Sequence, residues 1–209
     1  MQQAERIDQF TQQAAAVSAI VRPVPDMRAA LGHAVQVCAG KQACQALASG
    51  CTLDLSKKAE DLCGLKSWEK IMAAPDIDDD NLSILQGLCA DNNIALIKQG
   101  LHEHLGGIDV GLSTADYGLA ETGSIVQNSA SEDLRLATMI SEIHIALLPA
   151  SRIHNTAFDL EQKLAAFFSD GDGYLSFITG ASRTADIERV LTLGVHGPLE
   201  LQILILMDR

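Results

Sequence analysis

Two stretches of the chain gather residue types that could do chemistry. The first is Thr114-Ala115-Asp116-Tyr117-Gly118-Leu119-Ala120-Glu121-Thr122-Gly123, set between the apolar runs Ile108–Ser113 and Ser124–Gln127. Such a turn exposes backbone amides beside two carboxylates, and Gly118 and Gly123 permit close backbone approach or positive φ. Ordinary turn chemistry explains Asp and Thr, which cap local amides. It does not call for Glu121. Glu121 is therefore the candidate catalytic carboxylate, and Thr114, Asp116, Thr122 and Gly123 are candidate ligand-binding positions. The second stretch is Gly180-Ala181-Ser182-Arg183-Thr184-Ala185-Asp186, where an apolar strand ends and a short helix is expected to begin. Free amides at a helix start, with Arg183 and the hydroxyls of Ser182 and Thr184, suit a small carboxylate or phosphate. Open α/β sheets place ligands at such strand ends. The plainer alternative is an N-cap, with Asp186 complementing the helix dipole. Downstream, Gly194-Val195-His196-Gly197-Pro198 reads as a rigid turn that directs His196 toward the same region.

Other motifs fail on spacing. An EF-hand loop from Asp76 requires Gly at 81 and Glu at 87, where the chain has Asn81 and Gly87. A phosphate loop ending at Gly40-Lys41 requires Gly at 35 and Ser or Thr at 42, against Val35 and Gln42. No GxGxxG occurs. His102 and His104, two apart, point away from each other on a helix, so no metal is assigned to them. His33, His144 and His154 read as satisfied core or surface histidines. Gly111-Leu112-Ser113-Thr114-Ala115 approaches a nucleophile elbow, and Ser113, Asp186 and His196 follow hydrolase order. The closing Gly is replaced by Ala115, however, which argues against a serine hydrolase. The run Asp76-Ile77-Asp78-Asp79-Asp80 reads as a solvated loop leading into a helix.

Composition narrows the classes. At 209 residues and 47% hydrophobic, the chain can build one substantial core, mainly from aliphatic residues since aromatics are 4%. A formal charge of −12 opposes nucleic-acid binding. Apolar stretches such as Ala14–Val21 are too short to span a membrane. The first residues lack the pattern of a secretory signal. Five cysteines without any CxxC fit a reducing compartment, and exclude the usual iron–sulfur and zinc-ribbon spacings. The expected setting is cytoplasmic, with no cofactor of the chain's own.

The elements that must hold the two stretches are read as follows. Ile7, Phe10, Ala14, Val17 and Val21 form one helical stripe, ended by Arg22-Pro23-Val24-Pro25. That helix either packs on its own globule or protrudes to meet a partner or a second copy, and it tilts the reading toward a homodimer. Ala34–Ala39 reads as a strand and 41–48 as a helix, with loops to Pro75. Beyond lie a helix from Asp80 or Asn81 to Asn92 and a strand Ile94–Ile97. The strands Ile108–Ser113 and Ser124–Gln127 follow, then a helix Asp133–Ser141 and a strand His144–Leu148. A helix Thr156–Phe168, a strand Tyr174–Thr179, a helix 184–191 and a strand Leu199–Met207 complete the chain. The expected fold class is α/β: an open mixed or parallel sheet with helices on both faces. Residues 1–25 are expected to form an N-terminal helix and linker, and residues 26–209 the α/β domain.

The segments DYGLAETGSIV, ITGASRTADIE and LGVHGPLELQILIL resemble successive signatures of the lactate-utilisation protein C family of LUD-domain proteins. The resemblance is strong from about residue 94 onward and weak before residue 80, with Ala181 standing where the family typically has Pro. It implies a fold related to the sugar-phosphate isomerase and CoA-transferase group. It further implies a non-redox role in bacterial oxidation of L-lactate to pyruvate, beside iron–sulfur partner proteins. Two alternatives remain open: a stand-alone acyl- or CoA-transferase-like enzyme with Glu121 as nucleophile, and a metabolite sensor using the same anion pocket.

Overall fold

The computed structural model describes residues 2–42, 70–104, 107–168, 174–184, 192–193 and 197–207. The chain opens with α1 (Gln3–Ala16), β1 (Ala19–Val24), α2 (Met27–Gly40) and β2 (Lys70–Ala73). Next come α3 (Asp79–Asp91), β3 (Ile94–Ile97), β4 (Ile108–Thr114), β5 (Tyr117–Leu119) and β6 (Ser124–Asn128). Then follow α4 (Glu132–Ile140), β7 (Ser141–Pro149), β8 (Ile153–His154), α5 (Glu161–Ala166) and β9 (Leu175–Ile178). The pieces β10 (Arg183–Thr184) and β11 (Thr192–Leu193) precede the last strand, β12 (Glu200–Leu206).

Among the described residues the main sheet has the order β1-β12-β7-β4-β2-β3, and each neighbouring pair is parallel. Its strands are near-continuous apolar runs because both faces are covered. Met72, Val110, Leu112, Ile145, Leu147 and Leu204 meet Leu31, Val35 and Cys38 of α2 and Leu85 and Cys89 of α3 on one face. On the other face, Ala146, Leu148, Leu201, Ile203 and Ile205 meet Phe10 and Ala14 of α1. Ala137 of α4 packs on Ile71, Ala73 and Ile108 beside them. A second sheet, in the order β8-β5-β6-β9, lies on this second side and buries Ile125 and Ile153 in the same cluster as α1. Short polar side chains start the helices: Asp26, Asp78 and Ser131 accept the amides of Ala29, Asn81 and Leu134 at 2.8, 2.9 and 3.4 Å.

The α/β class and most elements after residue 79 match expectation. Several readings are corrected. Residues 19–24 are a strand rather than the end of a helix and a linker. The helix stops at Ala16, Ser18 turns the chain at φ 68°, and β1 pairs along its whole length with β12. Pro23 is tolerated because β1 is an edge strand. Ala34–Ala39 belongs to α2, since a short apolar run cannot be told from a buried helix segment by periodicity. Thr156–Phe168 breaks into a 3-10 turn, Phe158–Leu160, and α5. The turn 114–123 contains β5, and β2 was not anticipated. Of the helices expected at 41–48 and 184–191, residues 43–48 and 185–191 lie outside the described residues, as do Asp186 and His196; Lys41 and Gln42 are not helical, and Thr184 is in β10 rather than at a helix start.

Candidate functional site

The connection from β2 departs through α3 toward β3, whereas the chain from β4 proceeds through the small sheet and α4 to β7. Neighbouring connections thus leave in opposite directions between β2 and β4. The carboxyl ends of the strands at such a switch are the usual ligand position in open parallel sheets. Asp76 follows β2 at this edge, and its Oδ2 accepts the amide of Thr114, the last residue of β4, at 2.8 Å. Two residues on, Asp116 accepts the Asn128 amide at 2.6 Å. Gln127, fully buried in β6, donates from Nε2 to the Thr114 carbonyl at 3.3 Å. Among the described residues, Asp76 Oδ1 and Gln127 Oε1 are buried oxygens without a hydrogen-bond partner.

The electrostatics follow from this packing. Burial pushes the Asp76 carboxyl up to about 6. The Thr114 amide and the nearby Gln127 amide pull it down, and the Asp116 charge pushes it up again. A carboxyl poised near neutral pH, beside a second carboxylate, is suited to taking and returning a proton. By contrast Asp78, Asp79 and Asp80 are exposed at the start of α3, as expected of that acidic run.

The structure divides the anticipated pocket. Thr114 and Asp116 stand at the carboxyl edge. Glu121, Thr122 and Gly123 lie at the other end of the β5–β6 hairpin, roughly 13 Å along the strand at about 3.3 Å per residue. There they do meet the second stretch: Ser124 Oγ bonds to Thr122 Oγ1 at 2.8 Å and to Thr179 Oγ1 at 2.7 Å. Gly123 and Gly180, at φ +65° and +75°, both lie against the end of α1. Their close approaches thus serve helix packing. Glu121 is exposed and accepts the Ala157 amide at 3.2 Å. The Ser182 amide donates to the Pro198 carbonyl at 3.0 Å, and Arg183 is exposed. Thr184 is in β10. This 180–184 turn follows β9 of the small sheet, and its neighbours Met139 and Pro198 place it near the amino ends of β7 and β12.

Two other polar groups are built into the sheet. Ser113 Oγ lies 2.8 Å from His144 Nε2, both fully buried, and burial lowers His144 to about 4. A serine–histidine pair sealed in the core is beyond a substrate's reach. At the amino edge Lys41 bridges buried Asp109 at 2.7 Å and Glu142 at 3.0 Å. Burial alone would lower the Lys41 pKa, but its hydrogen bonds to Asp109 and Glu142 hold it above the ordinary value. Cys38 and Cys89 are buried thiols, pushed up to about 12 and about 11 chiefly by burial, and are unreactive.

Sequence reasoning missed Asp76 and Gln127. Asp76 was absorbed into a solvated acidic run because β2, only four residues long, went unrecognised. The available signal was the apolar stretch Ile71–Ala74 ending at Pro75-Asp76. For Gln127 the signal was a polar residue inside an otherwise apolar strand.

A six-stranded parallel sheet covered on both faces, with a small mixed sheet on one side, defines an open α/β class of domain. Residues 7–206 match the LUD domain family, and the chain belongs to that family. Among its relatives, lactate utilization protein C of Halalkalibacterium halodurans is 33% identical over 104 residues, 48% of this chain and 45% of that protein. Lactate utilization protein C of Exiguobacterium sp. is 34% identical over 103 residues, again 48% and 45%. The uncharacterized protein YkgG of Escherichia coli is 36% identical over 102 residues, 47% of this chain and 44% of that protein. The chain thus spans somewhat under half the length of these curated relatives. A DUF162 family protein from Deinococcus radiodurans, known from a crystal structure, shares the fold with a TM-score of 0.58 and 18% identity, covering 99% of both chains. No helix among the described residues is long and apolar enough to cross a membrane.

Proposed function

We propose that this chain takes part in bacterial lactate utilisation by binding a small hydroxy acid at the Asp76–Asp116 edge. The observation that carries the reading is Asp76: a half-buried carboxyl raised to about 6, held by the Thr114 amide at the strand switch between β2 and β4. Oxidation of L-lactate to pyruvate removes two protons, one from the hydroxyl and one from carbon, and two electrons. In this reading Asp76 accepts the hydroxyl proton, while Thr114 and Gln127 fix the carboxylate's orientation. Burial, with a smaller push from the Asp116 charge, keeps Asp76's proton affinity high. The carbon-bound proton leaves to water, and the two electrons pass to iron–sulfur partner proteins, the division of labour that the family resemblance implies. The relatives named lactate utilization protein C support the pathway. The anion site at Gly180, Ser182 and Arg183, and a nucleophilic Glu121, stand behind this reading. Glu121 is exposed and engaged with the Ala157 amide, and the Ser182 amide is already used.

The test is calorimetric titration with L-lactate, pyruvate, phosphate and coenzyme A. It compares wild type with Asp76→Asn, Arg183→Ala and Glu121→Gln. L-lactate binding lost in Asp76→Asn and kept in the other two is the expected result. Phosphate binding lost only in Arg183→Ala moves the site to the 180–184 turn, and coenzyme A binding that depends on Glu121 favours the transferase reading. Co-purification with the iron–sulfur proteins tests the partnership separately.

A further inference from the structure

We infer that the cleft between α4 and β9 binds a small carboxylate with an apolar body, at a site built from none of the Asp76-edge residues. Two periodicities make its walls. Arg135, Thr138 and Met139 stand at i, i+3 and i+4 and share one face of α4. Tyr174, just before β9, alternates with Ser176 and Ile178 onto one face of that strand. These six residues line a cleft of about 300 Å3, within the size range of small-molecule sites. Met139, Tyr174 and the neighbouring Phe177 are each more than half exposed. Three large apolar side chains left in water around one cleft mark a binding surface.

Arg135 sets the charge of the ligand. Among the described residues it is the one charged side chain lining the cleft, and no carboxylate there pairs with it. Its Nη1 donates to the Ser129 carbonyl at 2.6 Å and to the Ala130 carbonyl at 2.9 Å. Its guanidinium carbon lies 5.2 Å from the centre of the Tyr174 ring. Two carbonyls and an aromatic face thus hold the guanidinium in place before a ligand arrives, so little side-chain freedom is lost on binding. Nη1 is used, while Nε and Nη2 keep the edge that grips a carboxylate through two parallel bonds. In a chain of net charge −12, such a local cation is what admits an anion. The remaining walls set the body of the ligand. Met139, Phe177 and Ile178 offer apolar contact. The Thr138 hydroxyl donates to the Arg135 carbonyl at 2.9 Å and keeps its capacity to accept. Lactate's single methyl would leave most of these apolar contacts unmade, so the cleft calls for a longer or aromatic acid.

The experiment uses the full chain, with phenylacetate and hexanoate as probes and acetate and inorganic phosphate as comparisons. Isotope-labelled methionine methyl groups report the place of binding by magnetic resonance, with Met139→Leu assigning the Met139 signal, and calorimetry gives the affinity. Both probes are expected to shift the Met139 signal saturably. Acetate, which lacks the apolar body, is expected to bind more weakly by about tenfold or more. Arg135→Gln, and Arg135→Lys, which keeps the charge but loses the fork, should each weaken phenylacetate by about tenfold or more. Met139→Glu sets a negative charge at an exposed position and should weaken it comparably, which keeps the inference testable if the Arg135 variants fail to fold. Arg152→Gln, at an exposed arginine outside the cleft, should bind as wild type does. Absence of a saturable Met139 shift, or binding indifferent to both Arg135→Gln and Met139→Glu, overturns the inference. So does phosphate binding at Arg135 where neither probe binds. A Met139 signal that moves with protein concentration alone shows a second copy seated on the cleft and overturns it as well. L-lactate binding at Asp76 is read separately, so either site can fail while the other stands.

Discussion

Asp76 occupies an environment that disfavours its own charge, and this gives it a measurable signature. Burial raises it from 3.8 to about 6. Between those values the folded chain retains a proton that the unfolded chain has lost. Stability from this group is therefore greatest below pH 4 and falls as pH rises to about 6, by at most about 3 kcal/mol. His144 has the opposite sign. Its pKa is lowered by burial from 6.5 to about 4, so stability is lost as pH falls through that window. The two slopes oppose each other between about pH 4 and 6 in the wild type. Asp76→Asn removes one of them. The variant should be more stable than wild type by about 1–3 kcal/mol at pH 7, and should show an uncancelled rise in stability from pH 4 to 6.5. Urea denaturation across that range measures both, and a variant no more stable at pH 7 would refute the strain at Asp76. Ser113→Ala should cost about 1–3 kcal/mol, because it strips buried His144 of its partner at 2.8 Å.

Among the elements, α1 is fastened to the small sheet at two glycines. A Cβ at Gly123 would lie 2.1 Å from the Ala14 amide nitrogen, and one at Gly180 2.0 Å from the Val17 carbonyl oxygen. Both contacts are with backbone, and both glycines have positive φ, so neither can be relieved by a rotamer change. Gly123→Ala and Gly180→Ala should each destabilise by about 2 kcal/mol or more. Gly87→Ala, mid-helix in α3 with nothing within 4 Å, should instead stabilise by about 0.5–1 kcal/mol. Thermal unfolding of the three variants checks the contrast. At the amino edge, Lys41 ties the end of α2 to β4 and β7 through Asp109 and Glu142. Lys41→Met should cost about 3 kcal/mol, because it removes the cation facing a buried carboxylate. A loss near zero in chemical denaturation would show that tie to be dispensable.

At the scale of the whole molecule, the first 24 residues are part of the main packing. The strand β1 pairs with β12 from Ala19 to Val24, and Phe10 and Ala14 are buried against both sheets. Deleting residues 1–25 would uncover the edge of β12 and the apolar face of Leu201, Ile203 and Ile205. The truncated chain is expected to aggregate, and size-exclusion chromatography of the soluble fraction tests this. A monodisperse, cooperatively folded product would instead support an independent unit beginning at residue 26.

The sequence by itself determined the α/β class, because alternating helical periods and continuous apolar strands can be satisfied only by a sheet covered on both faces. It also determined the family, through three ordered motifs after residue 94. These are local properties, written in patterns a few residues long. What only the tertiary structure decided depends on which strands become neighbours. Asp76 is 38 residues from Thr114, and only the β2–β4 pairing brings its carboxylate to the Thr114 amide. Gln127 acquires its meaning from the same fold, which seats its amide under the Thr114 carbonyl. The glycines at 123 and 180 were legible as special backbone, but that they receive α1 followed from packing. Glu121 and Arg183 carry the right chemical types, yet strand length sets their turns at the opposite end of the hairpin from Asp116. Residue type is fixed locally, whereas convergence on a site is a property of strand order and register.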